Sequence, residues 1–204
     1  NRARFAEVLQ GRRGDVRPVF LRQVHGTRVL AIDRGTPDGT EADGCTSTTA
    51  GVACTVMVAD CLPVLLTDRA GTRVAAAHAG WRGLAAGVLE AALQCFWPLA
   101  QDGEAPPAIK SEVIAWLGPC IGKAAFEVGG DVFAAFTRAD PGAAICFAAS
   151  GREGKYHADL AALARRRLAA AGLSRVHGND GSERRCTVAN PARFFSHRRD
   201  ASRP

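Results

Sequence analysis

LPVLLTDRAGTRVAAAHA (62–79) decides the fold, because two apolar segments of strand length flank a polar turn in it. LPVLLT (62–67) and RVAAAHA (73–79) are apolar, and DRAGT (68–72) supplies turn residues. The pattern predicts a β-hairpin over 62–79. Gly80 ends its second strand, and helical spacing begins after it.

Outward from the hairpin, apolar segments of strand and helix length alternate with turn residues. The elements that this pattern predicts are strands at 52–59 and 112–118, helices at 82–96 (ended by Pro98), 129–138 and 157–171, and a loop at 101–108. In the last helix, Leu160, Leu163, Ala164 and Leu168 face inward and Gly172 forms the cap. No linker separates two domains, so we expect a single α/β domain over 1–204.

Composition is that of a soluble globular protein, with 47% hydrophobic and 23% charged residues. No apolar run approaches the roughly 20 residues that cross a bilayer, so no membrane association is expected. The start, NRARFAEVLQ (1–10), has no apolar signal core, which predicts a cytoplasmic protein. It reads as the tail of a helix, so we expect that residues are missing at both ends.

The net charge of +6 does not predict nucleic-acid binding. All but three of the 26 basic residues are arginines, scattered along the chain, and there is one Tyr to stack on bases. A small anionic substrate, or a basic face that is only solvated, is the expected use of this charge. Seven cysteines without a CxxC pair favour reduced thiols. Cys54 and Cys95 are interpreted as buried and inert, and Cys120 as an inert residue of a glycine-rich turn or, alternatively, a thiol near the site.

His25, Cys61 and His78 are the residues best suited to carry chemistry. They occur in QVHG (23–26), ADCLPV (59–64) and AAAHAGWRG (75–83), each where an apolar run stops. Two imidazoles and a thiolate can hold zinc and leave the fourth position open, as in catalytic rather than structural sites. Their spacing in the sequence does not show that they meet. Side chains at the ends of strands are held in fixed directions by a rigid scaffold, however, and sites are often built there.

Two other interpretations stay open at this point. Cys61 can be the nucleophile of a cysteine hydrolase, with His78 or His25 as its base and no metal. Alternatively, each residue is structural, with hydrogen-bonded histidines and a core cysteine, or a zinc ion only braces the fold.

Further candidates lie close to these motifs in the sequence. Arg82 falls in the first turn of a predicted helix, where free N–H groups and a guanidinium together can bind phosphate. Asp60 can orient a ligand imidazole or accept a proton, and it can equally hold a turn. His157, His177 and His197 are expected to be exposed, although His197 and Arg198 can close over a substrate.

Six motifs in this order closely resemble the YfiH-like family over nearly the whole chain. The family is labelled laccase-like multicopper polyphenol oxidoreductase and is also described as purine nucleoside phosphorylases. The motifs are QVHGTRV, DGCTS, ADCLPVLL, AAAHAGWRGLAAGVLE, LGPCIGKAAFEVG and FFSHRRD. The family's N-terminal Arg and Gly-Gly segment and its finish after the RRD motif have no counterpart here.

The resemblance implies mixed β-sheets layered α/β/β/α and places the family's zinc ligands on His25, Cys61 and His78. It implies phosphorolysis of adenosine, inosine and methylthioadenosine by a cytoplasmic enzyme. Adenosine deamination, copper-dependent polyphenol oxidation and peptidoglycan-precursor editing are also ascribed to the family. Peptidoglycan-precursor editing supports an alternative in which the protein is a hydrolase or amidase that depends on Cys61.

Residue chemistry ranks these activities. Multicopper oxidases use His-X-His pairs, and none of the five histidines is so arranged. The deaminase signature HxE with PCxxC is absent too. Phosphorolysis therefore fits best, with Zn²⁺ (Cu²⁺ as a minor alternative) on the three ligands, Arg82 and Arg198 as phosphate-binding residues, and Asp60 and Arg82 as catalytic residues. We expect a monomer.

Overall fold

The predicted hairpin forms the centre of the protein. The computed structural model describes residues 2–96 and 112–201, and the predicted loop at 101–108 and helix end at Pro98 lie outside them. Strands Leu62–Asp68 and Val74–Ala79 pair antiparallel, with Leu62 opposite Ala79 and Thr67 opposite Val74. Leu62, Val64 and Leu66 are buried and Leu65 between them is exposed, as the period of two in a strand requires.

The elements are numbered in chain order. The strands are β1 (Arg17–Phe20), β2 (Val29–Ala31), β3 (Gly44–Ser47), β4 (Val52–Thr55), β5 (Leu62–Asp68), β6 (Val74–Ala79), β7 (Val113–Leu117), β8 (Glu127–Gly129), β9 (Phe147–Ala149), β10 (Lys155–Ala158) and β11 (Val176–Gly178). The α-helices are α1 (Arg2–Arg13), α2 (Trp81–Ala86), α3 (Val88–Gln94), α4 (Gly130–Thr137), α5 (Leu160–Ala170) and α6 (His197–Asp200). Short 3-10 helices span Lys123–Ala125, Pro141–Cys146 and Glu183–Arg185.

A six-stranded mixed sheet in the order β11-β7-β5-β6-β3-β2 holds the site. Its inner pairs β7-β5, β5-β6 and β6-β3 are antiparallel, and the outer pairs are parallel. A three-stranded sheet (β8-β10-β9) and a parallel pair (β1-β4) complete the β-structure of the described ranges. The expected mixed α/β fold with several sheets is confirmed.

The main core lies between the six-stranded sheet and the helices, where α3 contacts both β6 and α5. On the helix side, the buried leucines of this core come from α2, α3 and α5. They are Leu84, Leu89, Leu93, Leu160, Leu163 and Leu168. Burying each such side chain contributes about 2 kcal/mol, so this core stabilises the central strands β5 and β6, at whose ends the site is built.

Two predicted helices begin or end differently in the structure. The helix predicted at 82–96 is interrupted at Gly87, whose φ of 107° is left-handed and costs little only for glycine. Its N–H donates to the carbonyls of Gly83 and Leu84, which ends α2 and starts α3. The helix predicted from His157 begins at Leu160, because His157 belongs to β10 and Asp159 caps the first turn.

The remaining predictions hold with small shifts of boundary. The strand predicted at 52–59 ends at Thr55, 112–118 is observed as β7 and 129–138 as α4. Leu160, Leu163, Ala164 and Leu168 are buried as expected. Among the described residues, no helix is long and apolar enough to cross a membrane.

Candidate metal centre

The structure brings His25, Cys61 and His78 together. One ligand atom from each lies within 4.8 Å of the other two. The Sγ of Cys61 is 3.8 Å from Nε2 of His25, and the two imidazole centroids are 4.7 Å apart. Across residues 2–96 and 112–201 this is the one group of three or more His, Cys, Asp or Glu side chains that converges in this way.

The hairpin sets two of the three positions. Cys61 immediately precedes β5, and His78 lies in β6 opposite Pro63, so both occupy the end of the hairpin away from its turn. His78 is 3% exposed, Cys61 is half-buried and His25 is exposed. The site is thus anchored in the core on one side and open on the other, which suits a ligand-accessible metal.

Asp43 connects both histidines and was not singled out from the sequence. It is fully buried and its Oδ1 accepts from Nδ1 of His78 at 2.9 Å, which turns the His78 Nε2 toward the cluster. The same carboxylate accepts backbone N–H groups of Val24, His25 and Gly26 at 2.6–3.1 Å. Asp60, one candidate for orienting an imidazole, binds the C-terminal segment, and Asp43 is the carboxylate that bonds to His78.

Two glycines of the AGWRG motif let the His25 loop approach β6. A Cβ on Gly80 would lie 2.9 Å from Cδ2 of His25 and 3.0 Å from Sγ of Cys61. A Cβ on Gly83 would lie 2.7 Å from the carbonyl oxygen of Gly26. The two glycines of AGWRG are visible in the sequence, but the sequence does not show that the loop carrying His25 is the segment that packs against them.

Burial and charge set the protonation of the ligands. Burial, helped by the charges of Asp60 and Asp43, raises the pKa of Cys61 to about 11. Burial lowers the pKa of His78, and the hydrogen bond that His78 donates to Asp43 opposes this shift. A neutral imidazole is the form that binds metal, and a divalent cation displaces a thiol proton. The N, S, N donor set therefore fits zinc, whose ligands are imidazole and thiolate.

Backbone strain marks the same place. His25 (φ 62°) and Asp60 (φ 83°) are the non-glycine residues of the described ranges with positive φ. Left-handed conformations are costly for side chains with a Cβ and persist where surrounding contacts impose them. Both residues here are held by long-range hydrogen bonds, which is the pattern of functional sites.

A cavity of about 140 Å³ opens beside Cys61. Its lining is mostly apolar, with an arginine and a histidine from the C-terminal segment: Ala59, Asp60, Cys61, Trp81, Ile121, Phe126, Leu160, His197 and Arg198. A larger cavity of about 660 Å³ lies against Lys123, His157 and Cys186. None of the three candidate ligands lines that larger cavity, so the smaller one is the candidate site.

The other predicted residues are distributed around this cavity. Arg82 is exposed and stacks on Trp81, with 4.6 Å between its Cζ and the ring centroid. Arg198 lines the cavity directly, and its Nη1 donates to the carbonyl of Ala125 at 3.3 Å. Asp60 accepts hydrogen bonds from Thr187, Ser196 and Arg198. Their catalytic and phosphate-binding roles remain predictions.

Three interpretations of isolated residues are corrected or refined. Cys120 is buried, and burial raises its pKa to about 12. Cys54 and Cys95 are only half-buried. His177 and His197 are exposed as expected, but His157 is half-buried because β10 packs beside β8 and β9.

Known proteins of one family resemble this chain over most of its length. A family model described as multi-copper polyphenol oxidoreductase laccase matches residues 1–203. Purine nucleoside phosphorylase PA4543 of Pseudomonas aeruginosa is 47% identical, over 98% of this chain and 74% of that protein. Purine nucleoside phosphorylase YfiH of Escherichia coli is 49% identical, over 90% of this chain and 69% of that protein.

A solved structure shows the same fold. The crystal structure of Neisseria meningitidis protein NMB0706 superimposes with a TM-score of 0.80 and is 46% identical, over 96% of this chain and 74% of that one. The resemblance to the YfiH-like family is confirmed. By its sequence and its fold, the chain belongs to the family described as multi-copper polyphenol oxidoreductase laccase.

Proposed function

We propose that this protein is a zinc-dependent purine nucleoside phosphorylase that cleaves adenosine, inosine or methylthioadenosine with phosphate. The observation that carries the proposal is the convergence of His25, Cys61 and His78, together with a cavity that Cys61 and Arg198 both line. The names of relatives at 47–49% identity support the same reaction. A cytoplasmic location is part of the proposal.

His25, Cys61 and His78 would hold the metal, and Asp43 would fix the orientation of His78. When bound, zinc supplies a Lewis acid that polarises a substrate oxygen or nitrogen. The residues support zinc over a set of copper ions, since residues 2–96 and 112–201 provide one convergent cluster. Met57, the one methionine, accepts a hydrogen bond from Arg2 and is not in the cluster.

Phosphate recognition is assigned to arginine. Arg198 is the stronger candidate because it lines the cavity with Cys61, and a guanidinium binds phosphate oxygens in two-pronged fashion. Arg82 does not line the cavity, but it follows Trp81, which does, and its guanidinium stacks on that ring. Its helix, α2, is only six residues long. Arg82 is therefore proposed as a second, outer contact.

The apolar wall shapes what the cavity accepts. Trp81, Ile121, Phe126 and Leu160 exclude water from one side of Cys61, which strengthens charge interactions with a bound anion. About 140 Å³ is below the roughly 300 Å³ at which small-molecule sites begin, so it encloses only part of a nucleoside. We place the phosphate and sugar inside and the base toward the exposed side near His25.

The rival activities receive less support. A Cys61 hydrolase or amidase, acting on peptidoglycan precursors, needs a thiolate without metal, and the raised pKa of Cys61 opposes that. Adenosine deamination and copper-dependent phenol oxidation use the same three residues, so no separate observation favours either.

Incubation of the zinc-loaded protein with adenosine or inosine, with and without phosphate, tests the proposal. Free base and ribose 1-phosphate, separated by chromatography, are expected only when phosphate is present. Inosine formed from adenosine without phosphate would indicate deamination. Activity that survives chelation of the metal but not alkylation of Cys61 would instead indicate a metal-free mechanism with Cys61 as the nucleophile.

A further inference from the structure

Asp60 is buried beside a candidate metal ligand, yet its carboxylate faces the C-terminal segment. It is 9% exposed, and Oδ1 accepts a hydrogen bond from the hydroxyl of Thr187. Oδ2 accepts from the hydroxyl of Ser196 at 3.0 Å and from the backbone N–H of Arg198 at 2.7 Å. Both oxygens therefore bind residues more than 120 positions along the chain.

The segment that these bonds hold is residues 194–200. Ser196 is fully buried, and its hydroxyl caps α6 by accepting the N–H of Arg199 at 3.2 Å. Arg199 fixes the other side by donating to the carbonyls of Thr187, Val188 and Phe194 at 2.7–2.8 Å. The side chains of His197 and Arg198 are exposed and line the cavity.

We propose that Asp60 is a positioning residue that fixes Arg198 beside Cys61 as the group that binds the phosphate. This inference rests on the proposed function and names a residue for its phosphate site. The Arg198 backbone is tied to Asp60, and its Cζ lies 6.0 Å from the centroid of the Phe126 ring. Five N–H donors on a guanidinium leave capacity for phosphate besides the bond to Ala125.

The arrangement also explains how a carboxylate is tolerated next to an anion site. Three donors, two hydroxyls and one backbone N–H, offset the negative charge of Asp60. A carboxylate that accepts such bonds holds the segment more firmly than a neutral side chain, because hydrogen bonds to a charged acceptor are about twice as strong.

Calorimetric titration of inorganic phosphate into the zinc-loaded protein tests the inference. Asp60→Asn and Arg198→Ala are each expected to weaken phosphate binding by about tenfold, the size of one charge-assisted hydrogen bond. Arg198→Lys should recover part of the loss. Asp68→Asn is the matched control, because Asp68 also accepts a hydroxyl and two backbone N–H groups, in the hairpin turn at the far end of β5.

The double variant separates positioning from a merely structural role. If Asp60 acts through Arg198, Asp60→Asn should cost nothing further in an Arg198→Ala background, with zinc content unchanged. The inference is overturned if the two losses multiply, if Asp60→Asn retains full phosphate affinity, if it loses zinc, or if the unmodified protein binds no phosphate.

Two milder variants cover the case in which Asp60→Asn does not fold. Thr187→Val and Ser196→Ala each remove one donor and should weaken phosphate binding in the same direction, by about two- to fivefold; unchanged affinity in both overturns the inference. Phosphorolysis is assayed on the same samples. Phosphate binding that depends on Asp60 and Arg198 without phosphorolysis would refute the proposed function and support the positioning role.

Discussion

The two ends of the β5-β6 hairpin use aspartates in different ways. At the turn end, Asp68 accepts hydrogen bonds from Thr72 and Arg73, four and five residues along the chain. At the site end, Asp43 accepts from Gly26, 17 positions away, and Asp60 from Arg198, 138 positions away. The turn is organised by its own residues, whereas the site exists only when distant segments have folded onto the hairpin.

This difference has an energetic side. Chain entropy opposes contacts between distant residues more than contacts within a turn, so the site end depends on the core that holds the segments together. It also carries the two strained residues His25 and Asp60. Substitutions at the site end should therefore affect metal binding and activity strongly, and those at the turn end should not.

The largest effect is expected at Cys61. Cys61→Ala removes one of three metal ligands, so metal content measured by elemental analysis should fall and phosphorolysis should drop by more than about 100-fold. Cys95→Ala, which changes a half-buried thiol outside the cluster, is the control and should retain both. Full activity in Cys61→Ala would exclude a metal-dependent mechanism at this site.

Asp43→Asn is expected to come second. The amide can no longer act as a charged acceptor for both His78 and the loop at 24–26, so zinc affinity should fall by about 10- to 100-fold. Competition with a chromogenic chelator measures it. Comparison with Asp68→Asn sharpens the contrast between the two ends, and equal zinc affinities in the two variants would remove that contrast.

Gly80→Ala should have an intermediate effect. The backbone of Gly80 (φ −61°, ψ 155°) accepts alanine, so any loss comes from the new Cβ pushing on His25 and Cys61. We expect zinc affinity to fall by about tenfold with little change in backbone structure. Gly35→Ala, whose Cβ would meet no atom closer than 3.5 Å, is the control, and a matching loss there would refute the steric explanation.

Asp68→Asn should have the smallest effect and should show it in the pH dependence of stability. Burial is the largest single influence and raises the pKa of Asp68, but the hydrogen bonds from Thr72, Arg73 and Gly71 together outweigh it and lower that pKa below its ordinary value of 3.8. Its contribution is therefore present above pH 3.8 and is lost as the pH falls through the folded pKa. Urea unfolding from pH 7 to pH 2.5 should show the two proteins converging at low pH, whereas a constant difference would contradict the assignment.

Local pattern was sufficient to predict much of the fold. The hairpin at 62–79, β7 and the inward face of α5 follow from apolar periodicity, because strands and helices bury side chains at fixed intervals. The break at Gly87 was missed, since a single glycine inside a helical pattern is usually tolerated. His157 was assigned to the start of a helix but belongs to strand β10, because the sequence around a polar residue does not show where a strand ends and the following helix begins.

The sequence by itself determined the chemical types at the site: two imidazoles, a thiol and nearby arginines, in motifs that mark the family. Only the tertiary structure decided that these groups meet, that Asp43 rather than Asp60 orients His78, and that Arg198 rather than Arg82 lines the cavity with Cys61. The reason is physical. Residue type and spacing fix local geometry, whereas contacts across many residues depend on how the whole core packs.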